Sequence, residues 1–249
     1  MSRILVTNDD GVDAPGILAL ARAMRQFGEV EVAAPAFNQS GSGHKKTLNV
    51  DISISEKMLD DDIPALVVNS SPADCIAIAS KGLRNWPPRV VVSGINRGEN
   101  LSQDVTYSGT VTAALESTIN GVPAIAVSLG NGAATDVSEY EEAARIAAII
   151  VQQVIDRGLP PLTILNVNVP PGEIKGLRLT RQGLRIYHDE IEQDGDVVRM
   201  VGSPPTGNLE ELGSDLRALA NGYVSITPIH LDMTAHHFMA DLANWNIEI

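Results

Sequence analysis

The chain has a single cysteine, Cys75, among 249 residues, so no disulfide forms within it. Cys75 falls on the apolar face of an expected helix and reads as a core residue. No apolar run approaches the ~20 residues that span a bilayer. The N-terminal residues lead straight into an apolar strand, with no basic stretch ahead of an apolar signal segment. A cytoplasmic location with no membrane attachment is therefore expected. Cationic residues are scarce: 18 Lys and Arg against 31 Asp and Glu leave a formal charge of −13. Such a surface repels the phosphate backbone, so no stable nucleic-acid partner is expected. A small anionic substrate remains compatible, because a bound metal ion dominates its local field and surface charges are screened beyond ~8 Å. A P-loop is missing too. Lys45-Lys46 follow a glycine-rich stretch, but the Gly-x-x-x-x-Gly-Lys-Ser/Thr spacing is not met; each lysine is either a steering charge or part of a solvated loop. His236-His237 are adjacent and do not share a helix face, which points to a tail or interface role.

What is present is an ordinary globular balance, 44% hydrophobic and 20% charged residues. The length fits one large α/β domain, or one domain with an extension. Strand and helix signals alternate. Arg3–Thr7 is a first strand, and Ala14-Pro15 opens a helix closed at Gly28. Val30–Ala34 is a strand, 38–47 a polar loop, and Leu48–Ser55 an alternating, half-exposed strand. Ala65–Asn69 is a strand, followed by a helix opening at Pro72. Arg89–Ser93, Pro123–Ser128 and Leu162–Val169 are strands, separated by a helix over Ser108–Ile119 and another running to Ile155. The second of these is expected to start on a Ser138/Glu141 capping box. This order predicts a Rossmann-like, doubly wound, mainly parallel sheet over residues 1–175. Residues 176–249 are expected to complete the domain and supply an oligomer interface. They read as a strand over Arg178–Ile186, a hairpin over Asp189–Pro205 turning at Asp194-Gly195, a helix over Asn208–Ala220 and a strand over Tyr223–Thr227. A tail with Phe238, Leu242 and Trp245 is expected to pack on its own core or on a partner subunit.

Asn8-Asp9-Asp10-Gly11 stands at the carboxyl end of the first strand, where open α/β sheets place ligands. Asp-Gly is also a common turn. Two adjacent carboxylates are costly to bury unpaired, and a hard divalent cation prefers carboxylate oxygens. Ser40-Gly41, after the second strand, and Asn96, after the Arg89–Ser93 strand, belong to the same rim. Each has a plain turn reading as well. Asp9, Asp10, Ser40 and Asn96 supply only oxygen ligands, a set suited to Mg²⁺, Mn²⁺ or Ca²⁺ rather than Zn²⁺. Asn8, Gly41, Ser42, Ser108, Gly109 and Thr110 are the candidate phosphate contacts. Small residues at the Ser108-Gly109-Thr110 helix start leave N–H groups for an anion, and Ser108 reads equally as an N-cap.

These motifs resemble the SurE family, the survival-protein-E nucleotidases. The matching stretches are Ile4–Gly11, Ala34-Pro35 with Asn38–Gly41, Pro72–Cys75, Val92–Leu101, Asp104–Val111 and Gly222–Pro228. The resemblance implies hydrolysis of nucleoside monophosphates with one divalent metal ion per subunit, held by Asp9, Asp10, Ser40 and Asn96. It also implies dimers or tetramers that exchange their C-terminal extension, and in some members 3′-nucleotidase or polyphosphate activity. Asp9, Asp10 and Asn96 are the candidate catalytic residues; metal-bound water and direct carboxylate attack both stay open. Ser70-Ser71-Pro72 and Ser102-Gln103 depart from the family pattern. The alternative reading is a non-catalytic nucleotide- or phosphate-responsive module. A receiver domain fits poorly, because no lysine follows Pro123–Ser128, and adjacent aspartates lack the Asp-x-Asp spacing of haloacid-dehalogenase phosphatases.

Overall fold

The computed structural model describes residues 2–60 and 62–245. Its framework is a nine-stranded sheet whose central strands are short apolar runs, buried because helices cover both faces, while the edge strands are largely exposed. In chain order the strands are β1 (Arg3–Thr7), β2 (Glu29–Pro35), β3 (Ile54–Leu59), β4 (Ile63–Val68), β5 (Val90–Arg97), β6 (Ala124–Leu129), β7 (Thr163–Val169), β8 (Leu177–Leu179) and β11 (Val224–His230). β9 (Arg185–Asp194) and β10 (Val197–Gly207) form a separate antiparallel hairpin. The sheet order is β3-β4-β2-β1-β5-β6-β7-β11-β8. From β4 to β7 all neighbours are parallel; β3 and β11 run antiparallel to β4 and β7.

The helices are α1 (Pro15–Met24), α2 (Pro72–Ile78), α3 (Gly109–Ile119), α4 (Glu141–Arg157), α5 (Asp215–Ala220) and α6 (His236–Leu242). α1 and α4 cover one face through Ile17, Leu20, Met24, Ile146 and Val151. α2 and α3 cover the other through Cys75, Ile76, Val111 and Leu115. Cys75 is fully buried there, in keeping with a core role.

The chain winds outward from β1 through β2 to β4, then crosses back to place β5 on the other side of β1. That reversal opens a crevice at the carboxyl ends of β1 and β5, the place where such sheets hold ligands. Thr7 pairs with Ser93, and Asn96, expected beyond the strand, is still in β5, which continues past an irregularity to pair Asn96 with Ser128 of β6 beside the Asp9-Asp10 turn. α1 presses hard on this region: a Cβ at Gly16 would lie 2.1 Å from the Ile95 carbonyl oxygen.

Several boundaries differ from the sequence expectation. Residues 48–53 are not strand: Leu48 and Val50 are exposed, Asn49 has φ 58°, and the ladder with β4 begins only at Ile54. The capping box is Asp136/Glu139, not Ser138/Glu141. Asp136 Oδ1 accepts from the Ser138 amide at 2.9 Å, and Glu139 Oε2 accepts from the Asp136 amide at 2.9 Å, so a short 3-10 turn precedes α4. The strand expected over 178–186 is cut in two, because the Gly183 amide bends away to Asp215 Oδ1 at 2.9 Å. The helix expected from Asn208 starts at Asp215, where Ser214 caps it and Gly213 has φ 78°. The hairpin turn at Gly195 is present, with longer arms than expected. α6 does not pack on the chain's own core: its side chains are exposed, and Phe238 meets Trp245 edge to face at 5.7 Å.

Because Gly16 has no room for a methyl group, Gly16→Ala is expected to destabilise the fold by about 1–3 kcal/mol. Urea unfolding measures this; an unchanged midpoint would show that α1 is free to shift away from Ile95.

Candidate active site

The Asn8–Gly11 turn is built by its own side chain. Asn8 Nδ2 donates to the Gly11 carbonyl at 2.8 Å, and Gly11 takes φ 103°. The turn exposes Asp10 partly and leaves Asp9 buried, with 3% of its surface accessible. Three further segments converge on the two aspartates, one at the main chain of Asp9 and two at the carboxylates. The Gln39 amide donates to the Asp9 carbonyl at 2.7 Å, bringing in the loop that carries Ser40. The Arg97 amide donates to Asp10 Oδ2 at 2.9 Å, bringing in the end of β5 that carries Asn96. The Thr110 hydroxyl donates to Asp9 Oδ1, and a Cβ at Gly109 would lie 2.7 Å from the Asp9 Cβ, so the first turn of α3 abuts Asp9.

The remaining candidates are placed as follows. Ser40 is exposed, and its amide donates to Asn38 Oδ1 at 2.7 Å. Asn96 is partly buried and donates through Nδ2 to the Gly98 carbonyl at 2.8 Å, which fixes its amide plane. Gly41 has φ 75° with open space around it, which permits close approach of another group. Ser108 caps α3, its Oγ accepting from the Val111 amide at 3.1 Å. The hydroxyl of Thr110, a candidate phosphate contact, is donated to Asp9.

Burial pushes the Asp9 carboxyl up to about 6; the adjacent Asp10 charge adds to this, and the Thr110 hydroxyl works against it. Burial also raises Asp10, opposed by the Arg97 amide and the Arg97 charge. Among the described residues no lysine or arginine side chain lies within 4.0 Å of either carboxylate. Nor do three or more His, Cys, Asp or Glu gather there as a metal cluster. The oxygen-donor set of two carboxylates with Ser40 and Asn96 nonetheless fits a hard cation. The Asn8 Oδ1 and Ser42 Oγ atoms are buried without hydrogen-bond partners, so polar capacity is left over around the pair.

Sequence reasoning missed the residues that hold the 38–47 loop. Glu116 of α3, 2% exposed, accepts from His44 Nε2 at 3.0 Å and from Lys46 Nζ at 3.1 Å. Lys46 is thereby engaged in an ion pair. The Gly43 amide donates to the Tyr107 carbonyl at 3.0 Å, and the Thr112 hydroxyl donates to the Gly43 carbonyl at 2.9 Å. The only signal in the sequence was a glutamate at a buried position of a helix.

Fold and site together define a doubly wound α/β protein with an acidic, oxygen-rich centre at the switch point of its sheet. The family model described as survival protein SurE matches residues 4–189, and the chain belongs to that family. It is 44% identical over 249 residues to the 5′-nucleotidase SurE of Syntrophotalea carbinolica, covering 98% of this chain and 97% of the relative. It is also 44% identical over 247 residues to the 5′-nucleotidase SurE 1 of Thermus thermophilus, covering 97% and 96%. The crystal structure of the SurE protein from Aquifex aeolicus superposes with a TM-score of 0.80 at 37% identity, covering 96% of this chain and 98% of that one.

A carboxyl raised by folding destabilises the native state above its unfolded pKa. Asp9→Asn is therefore expected to stabilise the metal-free protein at pH 7.5, by up to about 3 kcal/mol. The gain should fade as pH falls from about 6 towards 4. Urea unfolding of both proteins in chelator at pH 7.5 and 4.5 tests this; equal stability at pH 7.5 would contradict the burial argument.

Proposed function

We propose that the chain is a divalent-metal-dependent 5′-nucleotidase that hydrolyses nucleoside monophosphates to nucleoside and phosphate. The observation that carries this is the convergence of three distant segments on the Asp9–Asp10 pair. Its full-length relatives carrying the name 5′-nucleotidase support the substrate class. In this reading Asp9, Asp10, Ser40 and Asn96 hold one Mg²⁺, Mn²⁺ or Ca²⁺ ion per subunit. When bound, the ion would polarise a phosphoryl oxygen and lower the pKa of a coordinated water.

The chain's own groups have separable tasks. Asp9 is fixed by Thr110 and Gly109 and serves as the immobile member of the pair. Asp10 is more accessible and keeps one oxygen engaged by the Arg97 amide, which leaves the other to face substrate. The Gly109 amide at the start of α3 and the open backbone at Gly41 supply fixed dipoles for the phosphate oxygens, since the Thr110, Val111 and Ser42 amides are engaged by Asp9, Ser108 and Gln39. Water adds through its oxygen to phosphorus and the phosphorus–ester oxygen bond breaks; one proton of that water ends on the departing nucleoside oxygen and the other stays with the phosphate.

Residues 1–175 form the catalytic unit in this reading, with 176–249 completing the sheet and forming a dimer or tetramer interface. The exposed apolar side chains of the hairpin and tail, among them Ile191, Val198, Met200 and Trp245, support that assignment. No described helix is long and apolar enough to cross a membrane.

The purified protein is expected to release phosphate from nucleoside 5′-monophosphates with Mg²⁺ or Mn²⁺, and Asp10→Asn to lose at least about 100-fold in kcat. Saturating metal at about 100 times its dissociation constant should stabilise the wild type by about 2.7 kcal/mol, but not Asp9→Asn. No phosphate release from any monophosphate across both metals would refute the assignment.

A further inference from the structure

A nucleotide whose phosphate sits at the carboxylate pair must lay its nucleoside somewhere along the adjoining surface. A cleft of about 470 Å³ opens directly beside Asp10, within the size range of small-molecule sites. Phe37, Asn38, Arg97, Thr135 and Tyr140 are among its lining residues. Phe37 is a large aromatic side chain left 71% exposed, in a chain with only three phenylalanines.

That exposure does not come from a loose loop. On one side of Phe37 the Ala36 amide donates to the Val68 carbonyl at 2.9 Å, and the Val12 amide to the Pro35 carbonyl at 2.8 Å. On the other side the Gln39 amide is bonded to Asp9. Gly11 lies so close that a Cβ there would be 3.2 Å from the Phe37 carbonyl carbon. The ring is therefore an exposed apolar face on a rigid backbone, two residues from the segment that touches Asp9. Exposed aromatic faces of this kind are what nucleobases stack on, and stacking tolerates any base because every base has a π face. Asp10 and Asp13, both in the cleft, disfavour a second phosphate there and suit the uncharged end of the substrate.

We propose that this cleft is the nucleoside subsite, with Phe37 as the stacking platform for the base. The proposal rests on the nucleotidase reading above. Tyr107 is the rival platform: it is 61% exposed and precedes Ser108 on the α3 side of the pair.

The test compares adenosine 5′-monophosphate with ribose 5-phosphate, which lacks a base, on the full chain with Mn²⁺. Phe37→Ala should raise KM for the nucleotide at least about 5-fold while kcat holds within about 2-fold. KM for ribose 5-phosphate, or its Ki where turnover is slow, should not move, and Phe37→Trp should restore the nucleotide KM. Unchanged nucleotide KM in Phe37→Ala, equal losses with both substrates, or a base-dependent loss in Tyr107→Ala instead would each overturn the assignment. A wild type that hydrolyses ribose 5-phosphate but gains nothing from the base would overturn the subsite alone. Absence of phosphate release from both substrates would overturn the nucleotidase reading and the subsite with it.

Discussion

The buried Asp9 carboxylate is the constraint around which the molecule is arranged. Taking a carboxylate out of water is expensive unless hydrogen bonds or a cation compensate. Asp9 receives the Thr110 hydroxyl, yet burial still carries its pKa up to about 6. The adjacent Asp10 makes the position worse by adding like charge. A sheet keeps such a pair at the carboxyl edge of its central strands only where something repays the cost. The reversal of winding between β1 and β5 provides the place, because no crossover helix covers that edge there.

The second requirement is that an irregular loop be held steady beside the pair. Residues 38–47 have no strand or helix of their own, so their backbone groups must find partners elsewhere. Glu116 supplies much of the anchoring. Burial alone would raise its pKa, but the bonds from His44 and Lys46 outweigh burial and hold the carboxyl below its usual range. The loop's far end is fixed by α2: the Thr47 amide donates to Asp74 Oδ1 at 2.9 Å, and the Ser71 hydroxyl donates to the Lys45 carbonyl at 2.6 Å. The serine at position 71 is thus a working helix cap that also grips the loop. α3 touches Asp9 at its first turn and the loop through Glu116, so one rigid helix sets the distance between the two halves of the site.

Much of this was legible in the chain. Buried parallel strands announce themselves as short runs such as Arg3–Thr7 and Val90–Ser93, and helix ends by Pro15, Pro72 and Gly158. Those signals are local, and they suffice to put Asp9, Asp10 and Asn96 on one rim. What escaped was set by distant contacts. Thr110 reads as one of the small residues of a helix start, and only the approach of the Asp9 turn gives its hydroxyl a carboxylate to serve. The alternation over Leu48–Ser55 satisfies a strand pattern, but a strand needs a neighbour, and β4 offers one only from Ile54. The helix expected from Asn208 begins only at Asp215, after Gly213 with φ 78° and the Ser214 cap, and the Asp215 carboxylate accepts from the Ser102 and Gly183 amides at 2.7 and 2.9 Å.

That last contact explains why the C-terminal quarter bears on a site to which it contributes no candidate ligand. Ser102 opens the turn that ends at Thr106, just before Tyr107-Ser108 and the start of α3. Asp215 holds the front of this turn. Asp104, at its centre, pairs with Arg185 at the base of the hairpin and accepts from the Tyr187 hydroxyl at 2.7 Å. Gln103 is bonded to the Arg185 backbone in both directions, at 2.6 and 2.9 Å. The hairpin base is therefore clamped to the segment that delivers Gly109 and Thr110 to Asp9. Charge-assisted bonds are stronger than neutral ones, so the partly buried Arg185–Asp104 pair holds the hairpin base firmly to the segment that leads into α3. The hairpin and α5 thus meet the segment leading into α3 through Arg185 and Asp215, residues that no motif would single out.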